Sequence, residues 1–354
     1  MNNIKRIRNQ LKKYDCNAIL ITSPVNRFYA TGFNSSAGAL LVTTNGAWFF
    51  TDFRYIEMAQ SAVSEAQVLL ATDENTYSKQ IKAILDEKDI AVLGVEDDRL
   101  TYAQYREWKK KLKKKFVSAG ELIDELRAVK SAHDHGKITK AQRIAEKSFE
   151  EILPLISTDI TEKQLATELV YRLVKNGADD KAFDPIVVSG TKSSMPHGVP
   201  DNSKISHGFL TIDFGARFDG WCSDMTRTVC VGQPTEEMIN VYKTVLKAQK
   251  VGIGAIHAGA KCVDVDAAAR NVIKDAGFGE FFGHGLGHSI GLEVHENPKA
   301  SPISKETLPE GAVLTVEPGI YLPGRFGVRI EDMVFVTKEG CKNITKTKRK
   351  LIIL

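Results

Sequence analysis

Four carboxylates stand inside apolar, strand-like stretches of this sequence, and a fold that buries those strands must also accommodate their charges. Asp213 lies in TIDFG at 211–215 and Asp224 in WCSDMTR at 221–227, with a turn between them in RFDG at 217–220. The midpoint between the two acids falls inside that turn. A hairpin folded there opposes them on one face, with Cβ atoms ~4.5–5.5 Å apart. Two bare carboxylates that close repel, unless one is protonated or a cation lies between them. An unpaired charge in an apolar strand is also costly. The same arithmetic recurs at Glu317, in LTVEPG, and Glu331, in VRIED, which bracket a loop at 321–326 with its midpoint at Gly324. One such pair is open to a shared-proton dyad. Two pairs in one domain make a multi-oxygen metal site the simpler account.

The histidines point the same way. Six of the eight follow residue 196, with His197 after SMP and His284, His288 and His295 crowded into GHGLGHSIGLEVHE at 283–296. His284 and His288 have the spacing of a helical H-E-x-x-H zinc site, but Gly285 replaces the glutamate, and four glycines between 283 and 291 disfavour a helix. The glycines mimic part of a dinucleotide fingerprint, without the following helix or ribose-binding acid. Any one of these histidines alone reads as a hydrogen-bonded core residue; the cluster reads as part of a metal site. Four carboxylates and one imidazole suit two divalent ions. The oxygen-rich set favours manganese or a similar ion, and zinc or cobalt would also bind. Two such ions activate a water for attack on a carbonyl. Further histidines can donate to the developing oxyanion or shuttle protons.

Around this constellation the pattern is that of an α/β (α+β) chain in two domains, 1–124 and 125–354. In the first, Ile4, Ile7 and Leu11 mark an opening helix, 18–22 a buried strand, and 37–44 with 47–52 a hairpin turning at Asn45-Gly46. Residues 78–86 read as helix, 91–96 as strand and 102–115 as a helix ending in a lysine-rich run, a solvated face without interleaved aromatics. In the second, 121–156 forms two helices with a break expected at 133–136, attributed to Gly136. Helices follow at 161–176, with Thr161 and Gln164 as a capping box, at 236–257 and at 263–275. Strands are expected at 186–189, 209–216, 221–231, 312–317 and 327–337.

Charge and cysteine usage exclude several classes. Lys plus Arg is 48 against 44 for Asp plus Glu, which is no basic stripe for nucleic acid. No run approaches the ~18 apolar residues of a membrane helix, and no apolar h-region follows the basic start, so a cytoplasmic protein is expected. The five cysteines form no CxxC pair and read as reduced, buried thiols.

Six motifs occur in order: IDFGA at 212–216, SDMTRT at 223–228, HGLGH at 284–288, VHENP at 294–298, VEPGIY at 316–321 and VRIED at 328–332. With them the chain resembles the M24B metallopeptidases, the Xaa-Pro aminopeptidase and prolidase group. The first third is similar to the creatinase-type N-terminal domain, and the rest to the pita-bread catalytic domain. The resemblance implies Asp213, Asp224, His288, Glu317 and Glu331 as ligands of two divalent metal ions, with Asp224 and Glu331 bridging. It implies a bridging water as nucleophile and Glu317 as its general base. His197 and His295 would orient the substrate and stabilise the tetrahedral intermediate, and His284 would contact the backbone near the scissile bond. Arg329 would support the carboxylate network, with Tyr321 beside it in the substrate region. No ligand position departs from the family pattern, which counts against a metal-free creatinase or a non-catalytic binding relative. The implied substrate is a peptide with proline at the second position, cleaved by an Xaa-Pro aminopeptidase. The alternative, an Xaa-Pro dipeptidase, needs a cation for the dipeptide carboxylate, and Lys299 is the nearest residue to that pattern. The segment 26–33 resembles the family's N-x-x-Y-x-T-G-F signature; from the residues alone it reads as a packed strand-to-loop segment or a substrate contact. A homodimer is implied for the first domain's role.

Overall fold

A computed structural model describes residues 2–354. The chain divides into two compact units, one ending at Arg127 and the other spanning Ala128–Leu354.

The first unit is built on six strands, β1 (Ala18–Ile21), β2 (Ala39–Thr43), β3 (Ala47–Thr51), β4 (Gln67–Leu70), β5 (Val92–Val95) and β6 (Lys115–Ser118), in the order β4-β3-β2-β1-β5-β6. Helix α1 (Asn3–Gln10) buries Ile4 and Ile7 on one face. The β2–β3 turn sits one residue earlier than expected. Thr43 N donates to Gly46 O at 2.8 Å, and the Thr43 hydroxyl accepts the amides of Asn45 and Gly46. That local side-chain bond outcompetes the Asn-Gly turn. Segment 26–33 is not strand-to-loop: α2 (Pro24–Thr31) starts with proline in its first turn and ends at Gly32 with φ 72°. Its Asn26 amide donates to the buried Glu96. The helices α3 (Ile56–Ala62), α4 (Tyr77–Glu87) and α5 (Tyr102–Leu112) follow, and α5 stops short of the expected end because Lys113 turns left-handed and Lys115 opens β6.

Helix α6 (Gly120–Ala128) leads to α7 (Ala132–Ile152) in the second unit. The helix break expected at 133–136 falls at 129–131 instead. Ser131 and Asp134 form a capping box that starts α7, and Gly136 is inside the helix. Helix α8 (Glu162–Lys175) starts on the Thr161–Gln164 capping box. Then come β7 (Asp180–Lys181), β8 (Ile186–Ser189), β9 (Gly208–Phe214), β10 (Ala216–Phe218), β11 (Trp221–Cys222), β12 (Met225–Val231), α9 (Glu236–Gly254) and α10 (Cys262–Asp275). The strands β13 (Gly287–Ser289), β14 (Glu296–Ala300), β15 (Val313–Val316), β16 (Gly319–Leu322), β17 (Phe326–Arg329), β18 (Asp332–Val336) and β19 (Cys341–Asn343) complete the unit. They form sheets ordered β12-β9-β8, β14-β13-β15-β18-β19, β11-β10-β7 and β16-β17.

Strand alternation decides what faces the site. Leu210, Ile212 and Phe214 of β9, with Met225 and Val229 of β12, share a core with Phe149, Leu165 and Leu169 of α7 and α8. Leu314, Val316, Val328, Ile330 and Val334 share another with Val241, Val245, Ala269 and Ile273 of α9 and α10. The residues between them therefore turn away from the helices: Asp213, Asp224, Thr226, Thr315, Glu317, Arg329 and Glu331.

The register corrects one expectation. Asp213 pairs with Thr226, not Asp224, and Phe218 with Trp221 across Asp219-Gly220, both at positive φ. Asp224 lies in the gap between β11 and β12, opposite Gly215, where an added Cβ would come within 1.8 Å of Ser223 O. In the second hairpin Gly319 pairs with Arg329 and Val316 with Asp332, so Glu317 and Glu331 are opposed where the two ladders part. The strand expected at 327–337 is accordingly broken at Ile330-Glu331. The Glu331 amide bonds to Thr226 O and the Glu317 amide to Leu286 O, which turns both residues out of their own ladder.

Candidate metal centre

Asp213, Asp224 and Glu331 each offer a carboxylate oxygen, all within 4.8 Å of one another. His288 closes the group. Its Nε2 lies 3.3 Å from Glu317 Oε1 and 3.7 Å from Asp224 Oδ2. Two threonines sit between the acids on the same strand faces. Thr226 Oγ1 donates to Glu331 Oε2 at 2.7 Å, and Thr315 Oγ1 to Glu317 Oε1 at 3.2 Å. Arg329 donates from Nη2 to Asp213 Oδ2 and from Nε to Thr226 Oγ1.

One oxygen on each of three acids is left over. Asp213 Oδ1, Asp224 Oδ1 and Glu331 Oε1 are buried without a hydrogen-bond partner. Buried polar oxygens in native folds are nearly always satisfied, so this donor set fits a cation. The titration behaviour agrees. Burial, then the charges of Glu331, Asp213 and Glu317, push the Asp224 carboxyl well above the usual range. Burial and the charges of Glu317 and Asp213 do the same to Glu331. Burial also raises Asp213, partly offset by Arg329. Glu317 runs the other way. Burial would raise it, but the hydrogen bond and charge of His288, with His284 and Arg329, hold it at about 2. His288 Nδ1 lies 3.0 Å from Ser289 O. Without a metal Nε2–H donates to Glu317; with Nδ1–H bonded to that carbonyl, a deprotonated Nε2 would offer its lone pair to an ion, the arrangement metal-binding imidazoles use.

The acids, His288, His197, His284, His295 and Arg329 line one cavity of about 650 Å³. His197 and His295 are exposed in it, with the His295 ring centroid 4.4 Å from that of His288. His284 is half-buried. Its Nε2 is 2.9 Å from the Tyr321 hydroxyl, which accepts from Arg329 Nη1 at 2.9 Å. Burial lowers the affinity of His284 for a proton. Tyr321 thus stands behind the lining. The Asn26 segment belongs to the other unit, where Asn26 is fully buried against Glu96. Sequence reasoning passed over Thr226 and Thr315, although two-residue periodicity from Asp224 and Glu317 reaches both. It also passed over the apolar wall of Phe183, Pro185, Val199 and Val294, which comes from irregular segments with no local signal.

Residues 136–338 match the metallopeptidase family M24, and residues 3–129 match the creatinase/prolidase N-terminal domain. The chain belongs to metallopeptidase family M24. This M24 enzyme is 39% identical to the solved Xaa-Pro dipeptidase from Bacillus anthracis, with a TM-score of 0.96 and 99% of each chain covered. It is 34% identical to the solved X-Pro aminopeptidase from Thermotoga maritima, with a TM-score of 0.91 over 98% of this chain and 100% of that one. An Xaa-Pro dipeptidase of Pyrococcus horikoshii is 37% identical over 356 residues, 99% of this chain and 98% of the relative. The M24 assignment carries a requirement for divalent metal ions, and the orphaned oxygens supply the matching donor set. Among the described residues no helix is long and apolar enough to cross a membrane.

Proposed function

We propose that this chain hydrolyses the peptide bond between an N-terminal residue and proline, using two divalent ions held by Asp213, Asp224, His288, Glu317 and Glu331. The observation that carries the reading is the set of three partnerless buried carboxylate oxygens beside His288 and Glu317, in a chain whose relatives bear Xaa-Pro peptidase names. Manganese suits the oxygen-rich donors best, and zinc or cobalt also fit. Bound there, the ions would supply Lewis acidity toward the scissile carbonyl and a water nucleophile at neutral pH. Glu317 is the proton acceptor for the attacking water. Arg329 donates to Asp213 and to the Tyr321 hydroxyl, which lies beside His284 Nε2. His197 and His295 reach into the cavity to orient the peptide and donate to the developing oxyanion. A homodimer and a cytoplasmic location belong to the same reading, supported by the family resemblance.

On peptide length, the aminopeptidase reading has a competitor that one side chain favours. Lys299 and Arg329 are the lysine and arginine that line the cavity among the described residues, and Arg329 is engaged with Asp213, Thr226, Tyr321 and Pro196 O. Lys299 is exposed there and suits a dipeptide carboxylate as a point charge. The test compares an Xaa-Pro dipeptide with longer Xaa-Pro peptides, in manganese and in zinc, with chelated protein as control. Hydrolysis that survives chelation would overturn the proposal.

A further inference from the structure

We propose that Lys130 and Glu296 are positioning residues for His295, a role that rests on the function proposed above. Glu296 follows His295 in the chain and opens β14, buried where His295 is exposed. The two charged groups are sealed off together: the Lys130 side chain is 0% exposed and that of Glu296 5%, with Nζ 3.0 Å from Oε2. The other oxygen, Oε1, accepts the amides of Leu292 at 2.9 Å and Glu293 at 3.2 Å. The carboxylate therefore closes loop 291–296 on itself. It lies so near the backbone that a Cβ on Gly291 would come within 2.6 Å of it.

The loop is anchored on two further sides. Gly291 O accepts from the amide of Cys222, two residues before Asp224, at 2.7 Å. Lys130 is itself tied down, its amide donating to Gly311 O at 3.1 Å and its Nζ reaching Ala128 O at 3.4 Å. His295 has no such anchor of its own. It is exposed in the cavity, and its ring is placed beside His288 by the loop that Glu296 closes. A buried ion pair adds little net stability, because desolvation offsets the attraction. This one selects a single conformation of the loop that presents the imidazole.

The test uses the full-length, metal-loaded protein with Lys130→Met, Glu296→Gln, the double variant, and Lys130→Arg as the conservative exchange. Three readouts are taken: metal stoichiometry, separate kcat and KM on an Xaa-Pro peptide, and the His295 ring signal in ¹³C-histidine-labelled, zinc-loaded protein, assigned with His295→Asn. Both single variants are expected to keep their metal, shift the His295 signal and raise KM on the order of 10–100-fold, the scale of a misplaced orienting group. Lys130→Arg should restore much of the KM. The double variant leaves no lone buried charge, so it folds where a single one fails, and it should still show the shifted signal. A wild-type His295 signal and KM in the double variant would overturn the inference, as would single variants that lose only thermal stability. Wild-type protein that is inactive on every Xaa-Pro peptide would overturn the proposed function instead, and the His295 signal would still decide this inference.

Discussion

Thr226 Oγ1 donates to Glu331 Oε2 at 2.7 Å and accepts from Arg329 Nε at 3.1 Å, so one hydroxyl spaces an acid and a guanidinium that both serve the carboxylate cluster. It occupies the position directly opposite Asp213 in the β9–β12 ladder. Thr226→Val keeps the shape but leaves a buried oxygen of Glu331 and a buried N–H of Arg329 without this partner. The expected cost is about 1–3 kcal/mol of stability, with metal affinity about 10–100-fold weaker, as for other groups that orient ligands. Thr226→Ser should behave nearly as the parent. Calorimetric metal titration of both variants checks this, and an unchanged affinity in Thr226→Val would refute it.

The Tyr321 hydroxyl accepts from Arg329 and lies 2.9 Å from His284 Nε2. His284 Nδ1 lies 2.8 Å from Gly285 O. An Nδ1–H there makes Nε2 the acceptor of the tyrosine proton, which fixes the tautomer. Tyr321→Phe removes that link without touching any carboxylate. We expect metal content to hold while kcat falls about 10–100-fold, the effect of one lost buried hydrogen bond to a reacting-site group. Loss of metal in this variant would place Tyr321 in the ligand network instead.

Metal-free protein should show an inverted pH dependence. In the metal-free fold Asp224, Glu331 and Asp213 bind protons more tightly than in the unfolded chain, burial being the main cause. Folding then takes up protons. Their contribution is full below the unfolded carboxyl value of ~4 and declines as pH rises toward the folded values. Glu317, held at about 2, contributes in the opposite sense and loses its share only as pH falls from ~4 toward that value. Above about pH 5 the three raised groups dominate, so the Tm of chelated protein should fall as pH rises from there. Bound ions keep the acids ionised and remove that slope. Parallel Tm curves for chelated and loaded protein would contradict the account.

The two acidic hairpins show what was legible in the sequence and what was not. Counting inward from Glu317 and Glu331 found the right register, because the loop between them is a simple reversal around Gly324, at φ 70°. The same count failed by two residues for Asp213 and Asp224. The hairpin turns at Asp219-Gly220, both at positive φ, one residue past the midpoint between the acids, and the pairs Phe218–Trp221 and Asp213–Thr226 share that register. Parity survived the slip, since two residues return a side chain to the same face. The mistaken helix break near Gly136 has a similar cause. Gly136 reads as a breaker, but the Ser131–Asp134 cap starts the helix upstream and carries it through the glycine. The walls of the cavity were illegible because Phe183, Pro185 and Val199 meet only through tertiary folding.

Lys299 offers the sharpest test of substrate length. Its side chain is exposed in the cavity, and its strand position pairs with the candidate ligand His288. A dipeptide presents a carboxylate close to the scissile bond; a longer peptide presents an amide there and carries its charge farther off. Lys299→Met should therefore raise KM for an Xaa-Pro dipeptide by about tenfold, the equivalent of ~1.4 kcal/mol, and leave KM for a longer Xaa-Pro peptide within about twofold. Because an accessible ion pair weakens with salt, the dipeptide KM of the parent should climb with ionic strength and that of the variant should not. Lys299→Arg keeps the charge and should keep the dipeptide preference. Equal loss on both substrates would assign Lys299 to cavity shape rather than carboxylate recognition, and no loss on either would return the choice to the aminopeptidase reading.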